Sequence, residues 1–260
     1  EAYQGGKKRM ELIDGITVHR SWIYVSQSKS ILARLLNYFS FVWSSYWRGK
    51  KLNHFDFLLV ESPPLFLGYS ALRLSRKLKA KLIFNVSDLW PESAEKLGVV
   101  KNKLFLKLAY QLEATCYNRA QLITGQTQGI VNDISKRFAQ RPVYWLPNGV
   151  NVDFYNPELI PMGDFREVNG FKSTDVLFFY GGILGHAQGL EVILEAAAQL
   201  KSEVELHFII QGSGPEKEKL LALKHEMSLN NVHFFDPVAK SQMPQILKAI
   251  DIAMVPLKKL

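Results

Sequence analysis

From Phe55 onward, short apolar runs alternate with helix-periodic segments, and the same order resumes after a break at Pro147-Asn148-Gly149. Before the break the runs are Phe55–Val60, Leu82–Val86, Leu122–Thr124 and Val143–Leu146. Between them Leu65–Leu78 places Leu67, Ala71, Leu74 and Leu78 on one helical face, Leu104–Tyr117 is helical, and Gln126–Phe138 is helical with Thr127 as its N-cap. After the break come runs at Val176–Tyr180, Leu206–Ile210, Val232–Phe235 and Ile252–Val255. They alternate with helices at Leu190–Leu200, Glu216–Met227 and Met243–Ala249, the first presenting Val192, Ile193, Ala196, Ala197 and Leu200. Repeated strand–helix order predicts an α/β chain built on parallel sheets with helices on both faces. Upstream, residues 1–10 read as loop and Ile16–Val25 as a strand.

The break lies within Tyr144–Pro157, Y-W-L-P-N-G-V-N-V-D-F-Y-N-P. The run entering it has the character of a buried strand's end. Pro147 fixes φ, Asn148 and Gly149 tolerate φ > 0, and Asn156-Pro157 is a second brake. The stretch reads either as a plain surface turn or as the joint of two α/β units with a ligand cleft between them. Charge favours the second reading. Residues 1–145 carry 22 Lys/Arg against 10 Asp/Glu, while residues 146–260 carry 10 against 14, and the sign of the balance reverses at the joint. The expected division is an N-terminal domain over 1–146, a hinge over 147–157 with Asn148 and Gly149 on the cleft floor, and a C-terminal domain over 158–260. A basic half suits nucleic acid, an anionic membrane or a phosphorylated substrate.

At 260 residues, with 47% hydrophobic and 22% charged side chains, the chain falls in the range of ordinary globular domains. No apolar run has the length of a membrane span and no secretory signal pattern opens the chain. The single cysteine, Cys116, excludes an intrachain disulfide framework and reads as a small buried helix residue. One segment stands apart. Residues 29–51 contain L-L-N-Y-F-S-F-V-W-S-S-Y-W between Arg34 and Arg48, followed by Lys50 and Lys51. As a helix it would be about 30 Å long. It reads as a core helix with a basic cap, or as an interfacial helix that meets an anionic membrane through Trp, Tyr and Lys/Arg. Stacking of single-stranded nucleic acid is a third use of such aromatics, but no RNA-binding signature accompanies them.

Ligands of open parallel sheets bind at the carboxyl ends of the strands. In the second half that edge carries Gly181, Gly182, Gly185 and Gly189 in G-G-I-L-G-H-A-Q-G, then Gly212 and Gly214 in Q-G-S-G-P, then the Asp236-Pro237-Val238 turn. Glycines there admit a phosphate close to the backbone, and helix N-termini offer N–H groups to it. Each glycine alone is also an ordinary turn residue. G-G-I-L-G is not the dinucleotide fingerprint, Gln211 stands where a nicotinamide dinucleotide site places a carboxylate, and no Walker lysine is present. In the first half the strand ending at Val86 leads into Ser87-Asp88, with Glu92 close behind. Asp88 could hold a sugar hydroxyl or a proton, or simply cap the turn. The six histidines show no metal-ligand spacing, His207 reads as structural inside a strand, and there is no nucleophile elbow.

Five motifs in order, V-S-D-L-W-P-E-S (86–93), L-P-N-G-V-N-V-D-F-Y-N-P (146–157), F-Y-G-G-I-L-G-H-A-Q-G-L (179–190), I-Q-G-S-G-P (210–215) and the run from N-V-H-F-F-D-P-V to D-I-A-M-V-P-L (231–257), resemble family 4 glycosyltransferases of the GT-B fold. The likeness is to the bacterial capsule, O-antigen and colanic-acid group that includes fucosamine transferases. It implies two Rossmann-like domains, a UDP-linked sugar donor on the C-terminal one, an acceptor on the N-terminal one, transfer with retention of configuration, and neither metal nor cofactor. By position, Gly181, Gly182, Ile183, Gly185, His186 and Gln188 would line the diphosphate, Gly212 and Gly214 the nucleotide, and Val238 the base. Asp88 would be catalytic, meeting the transferred sugar or acceptor, with Glu92 on the acceptor side.

The pattern departs from many members at Gly182, where they have Arg, and at Gln188, where they have Lys. Diphosphate charge would then be met elsewhere, with His186 as the candidate. Ser87 replaces the histidine that often precedes the aspartate. The family's first strand and Gly-Gly loop would precede Glu1, and its paired glutamates would follow Leu257, so the chain is expected to be an internal piece of a longer enzyme and inactive alone. The implied setting is synthesis of a lipid-linked bacterial polysaccharide at the cytoplasmic face of the plasma membrane. The nucleotide partner is a donor sugar, the acceptor is lipid-linked or a saccharide, and nucleic acid is not a partner. The rival readings are a UDP-sugar 2-epimerase of the same fold and a catalytically inactive binding partner.

Overall fold

The computed structural model describes residues 10–26 and 31–258, with the side chains of 31, 32 and 34 left aside. Residues 1–9 of the segment read as loop and the first two residues of the aromatic segment lie outside the described residues. Two compact units divide the chain, Glu1–Asn148 and Gly149–Leu260.

The first unit opens with an antiparallel hairpin, β1 (Met10–Ile13) and β2 (Ile16–His19). Asp14 and Gly15 both take positive φ at its turn, as a two-residue hairpin connection requires. The strand read over Ile16–Val25 therefore stops at His19, and its partner begins inside the segment read as loop. Helix α1 (Ile31–Gly49) follows, then a parallel sheet of β3 (Phe57–Ser62), β4 (Lys81–Val86), β5 (Leu122–Gly125) and β6 (Val143–Trp145) in sequential order. The crossovers are α2 (Leu67–Leu78), the pair α3 (Glu92–Lys96) and α4 (Lys103–Arg119), and α5 (Gln128–Arg137). Thr127 caps α5 by accepting from Ile130 N, and Asn102 caps α4 by accepting from Phe105 N.

Right-handed crossovers between strands laid down in sequential order all fall on one side of a sheet. The core follows that rule. Phe66 beside α2, Ala109, Leu112 and Cys116 of α4, and Ile130 and Ile134 of α5 join Phe84, Val86 and Ile123 in a single cluster. The other face of β3 shows Phe57 and Leu59 at 56% and 57% exposure. The expectation of helices on both faces thus fails for the described part of this unit. Strand β6 corrects a second expectation, because Tyr144 and Trp145 are exposed at the sheet's edge instead of buried. At the break neither Asn148 nor Gly149 has positive φ, and a Cβ on Gly149 would meet nothing within 4 Å.

Cys116 is fully buried, and burial pushes its thiol up to about 12. Beside it Glu113, 1% exposed, receives both Nη atoms of Arg137 at 2.9 and 3.0 Å, which ties α4 to α5. Those hydrogen bonds raise the arginine's pKa further above its ordinary value. The long aromatic segment is helical, but its Leu36, Phe39, Trp43 and Trp47 are exposed, so it is not a core helix.

The second unit contains α6 (Phe165–Val168), β7 (Val176–Ile183), α7 (Glu191–Gln199), β8 (Leu206–Ser213), α8 (Lys217–Glu226), β9 (Val232–Phe235), α9 (Met243–Ala249) and β10 (Ile252–Ala253). Its parallel sheet has the order β10-β7-β8-β9. The chain winds outward from β7 to β9 and then returns to β7's other side, so this sheet is covered twice. Helices α7 and α8 pack on Tyr180, Phe208 and Ile210, while Phe171 and Ile246 pack on Leu177, Phe179 and Ile209. Along α7 the buried residues are Ile193, Leu194 and Ala197, whereas Val192, read as apolar-face, is exposed.

Candidate active site

The reversal of strand order at β7 opens a crevice at the carboxyl ends of β7 and β8, where open α/β sheets bind ligands. The glycines expected to form loops there are in strands. Gly181, Gly182 and Ile183 pair with Gln211, Gly212 and Ser213. Strand β10 stops pairing at Phe179, whose carbonyl accepts from Met254 N at 2.7 Å. Backbone direction repeats every second residue, so Gly181 turns its N–H and C=O toward the side where β10 has ended. Tyr180 Oη donates to Ile183 O at 2.8 Å and holds the end of the strand.

A cavity of ≈ 300 Å³ lies here, walled by Gly181, Gly182, Ile183, Gly212, Pro237 and Val238 with Gln211 and Met243. Five of the sequence-predicted donor residues are therefore brought together. Gly185, His186, Gln188 and Gly214 are not among its walls. Gly214 serves packing, since a Cβ there would lie 2.3 Å from Leu184 O. At Gly212, with φ +152°, a Cβ would lie 1.8 Å from Gly182 O. These glycines let two backbone segments cross closely, a requirement that holds with or without a phosphate. Gln188 Oε1 sits where a Cβ on Gly185 would be 2.7 Å away. His186 Nδ1 is 2.7 Å from Glu216 Oε1, so any positive charge on the ring is met by a carboxylate of the same unit.

Sequence reading missed Gln211 as a site residue and used it only to exclude a dinucleotide. It is 3% exposed and lies in the wall shared by this cavity and a neighbouring one of ≈ 370 Å³ lined by Phe165, Phe235 and Gln245. Its Nε2 donates to Asp236 O at 3.2 Å, and its Oε1 has no partner. Lys217 Nζ, 2.6 Å from Asp236 Oδ1, steadies the same turn. A buried carbonyl oxygen without a donor is destabilising by about 1–3 kcal/mol until something donates to it.

In the first unit, Asp88 is exposed just beyond β4, and its Oδ2 accepts from Ser93 Oγ at 2.8 Å. Glu92 forms an i,i+4 ion pair with Lys96 on α3. Glu61, at the end of β3, accepts from Ser87 Oγ, which itself accepts from Gln126 Nε2 at 2.7 Å. The carboxyl edge of this sheet thus holds two carboxylates, Glu61 and Asp88, on adjoining strands. Nothing local in the sequence marks Glu61 as part of this edge. Among the described residues no cluster of three or more His, Cys, Asp or Glu side chains is arranged to hold a metal ion.

Comparisons with known proteins bear on the fold. Residues 162–259 match the family described as glycosyl transferases group 1. The chain is 26% identical over 250 residues to the putative colanic acid biosynthesis glycosyl transferase WcaI of Escherichia coli K12, covering 94% of this chain and 61% of that protein. Among solved structures, sucrose-phosphate synthase from Thermosynechococcus elongatus superposes with a TM-score of 0.73 at 15% identity, over 97% of this chain and 63% of that one. HepE of Anabaena, solved in complex with UDP-glucose, gives 0.62 at 18% identity, over 86% of this chain and 57% of that one. The chain therefore has the α/β fold with parallel sheets of GT-B glycosyltransferases, and it spans about three fifths of the length of the relatives named.

Proposed function

We propose that the complete protein is a glycosyltransferase that moves a sugar, with retention of configuration, from a UDP-linked donor to a lipid-linked or saccharide acceptor. The finer assignment is to family 4, in the capsule, O-antigen and colanic-acid group, working in the cytoplasm at the inner face of the plasma membrane. The observation that carries the reading is the gathering of Gly181, Gly182, Ile183, Gly212 and Val238 around one cavity at a strand-order reversal, within the stretch matched by glycosyl transferases group 1. HepE, which shares the fold, was solved with UDP-glucose, and this supports a nucleotide-sugar donor.

In this reading the backbone of Gly181 and Ile183 receives the diphosphate and Val238 flanks the base. Retention of Gly185, His186, Gln188 and Gly214 as donor-side residues rests on their motif. The Gly149–Leu260 unit holds the donor, the Glu1–Asn148 unit the acceptor, and the 147–157 stretch is the hinge. Asp88 meets the transferred sugar or the acceptor, held by Ser93, with Glu92 near the acceptor. The exposed aromatic face of α1, ending in Arg48, Lys50 and Lys51, rests on anionic lipid. No helix among the described residues is long and apolar enough to cross a membrane.

Two measurements test the proposal. UDP should bind this chain saturably in calorimetry. Ile183→Glu, which sets a carboxylate at an exposed position on the cavity wall, should weaken UDP by about tenfold or more through like-charge repulsion. Unchanged UDP binding in that variant would remove the cavity from the reading. In the full-length enzyme Asp88→Ala should abolish transfer, and near-normal turnover would remove Asp88 from catalysis.

A further inference from the structure

Two cavities of the second unit meet at Gln211. In β8 this residue pairs with Gly181 of β7 on one side and Phe235 of β9 on the other, so it stands in the middle of the sheet's carboxyl edge. It lines both the ≈ 300 Å³ cavity of the glycine edge and the ≈ 370 Å³ cavity beside it, as Val238 also does. Each volume is near the lower end of the roughly 300–1,000 Å³ of small-molecule sites, which suits a ligand in two parts. The two cavities differ in charge. Asp164 and Asp236 border the larger one, and among the described residues no lysine or arginine does, so a phosphate is disfavoured there. Phe165 and Phe235, 5.7 Å apart between ring centres, give it an apolar wall instead. A flat, uncharged ring fits this cavity, and a diphosphate is left to the glycine backbone of the smaller one.

The Gln211 amide offers two N–H donors and one carbonyl acceptor. Its Nε2 donates to Asp236 O at 3.2 Å, which sets the nitrogen end against that carbonyl. Turned end for end, the amide would face oxygen with oxygen. Oε1 is thereby held as an acceptor, and it has no donor. It lies just under the surface of the wall, and the broad terminal torsion of a glutamine lets a small turn present it to a ligand. We infer that Gln211 selects the base of the nucleotide: its Oε1 accepts the N3–H of uracil and rejects cytosine, whose N3 carries a lone pair in the same place. The inference rests on the reading of this edge as a nucleotide-sugar site and adds the residue that discriminates within it. Val238 packs on any base alike, whereas two acceptors facing each other away from water reject the wrong one strongly.

The test is calorimetric titration of the whole chain with UDP, CDP and N3-methyl-UDP. UDP should bind about tenfold or more tightly than either of the other two. Gln211→Met keeps the length of the side chain and removes both of its polar groups. That variant should keep its thermal transition and bind the three nucleotides alike. Equal affinity of the unaltered chain for UDP and CDP would overturn the inference and leave the donor cavity in place. Equal affinity for UDP and N3-methyl-UDP would do the same, as would a Gln211→Met chain that still prefers UDP. Failure of all three nucleotides to bind the unaltered chain would remove the nucleotide site itself, and the inference with it.

Discussion

Gly212 and His233 show how two side-chain positions of the second unit are governed by what surrounds them. At Gly212 the obstacle to any Cβ is a backbone carbonyl, which cannot swing aside as a side chain would. Gly212→Ala should cost the unit more than about 4 kcal/mol, visible as loss of its cooperative thermal transition, so that variant reports on folding and not on a ligand. His233 lies at the opposite end of the sheet. Its Nε2 is 3.1 Å from His207 Nδ1, and His207 Nε2 is 3.4 Å from Asp175, which is itself buried. Burial first, then His207 and Lys224, push His233 down from 6.5 to about 4. Between those values the unfolded chain takes up a proton that the folded chain refuses, so stability falls as pH drops from 6.5 toward 4. Thermal midpoints at pH 7 and pH 5 should show that fall, and His233→Gln should flatten it. A slope unchanged in the variant would assign the effect to other groups.

Elements were legible where periodicity was clean and obscure where the deciding contact was distant. Val232–Phe235 and Met243–Ala249 match their sequence reading, and Thr127 is the cap that its residue type suggests. Strands β7 and β8 run three residues further than their apolar stretches, because Gly181-Gly182-Ile183 pair with Gln211-Gly212-Ser213 where a single-chain reading sees only turn formers. The short helices α3 and α6 were missed, each too brief to show a period. That the glycines gather at one sheet edge was readable, but the places of Gln211 and Glu61 were not, since their partners are 25 or more residues away. The α4–α5 tie likewise joins residues 24 apart. Glu113→Ala would leave Arg137 facing a buried gap, and although Asp133 still holds the arginine, the first unit should lose about 3 kcal/mol in urea unfolding.

At the scale of the whole molecule, charge separates the units more sharply than fold does. Over residues 149–260 the balance is 10 Lys/Arg against 14 Asp/Glu, opposite in sign to the first unit. Both units use parallel sheets, so fold class was legible from strand–helix order alone, while the one-sided covering of the first sheet was not, because strand order is a tertiary fact. The chain should sediment with anionic vesicles at low salt and progressively less as salt rises, with neutral vesicles binding weakly throughout. Trp43→Ala with Trp47→Ala should reduce binding at every salt concentration, and equal sedimentation with both lipid types would remove the electrostatic part. The crossing at Gly212 and Gly182 has one more consequence, which concerns heredity. Every single-nucleotide missense change of a glycine codon installs a residue with a Cβ. Position 212 therefore has no one-step neighbour in sequence space that fits, and a glycine unvarying there among relatives would record the crowding of two main chains before it recorded any substrate.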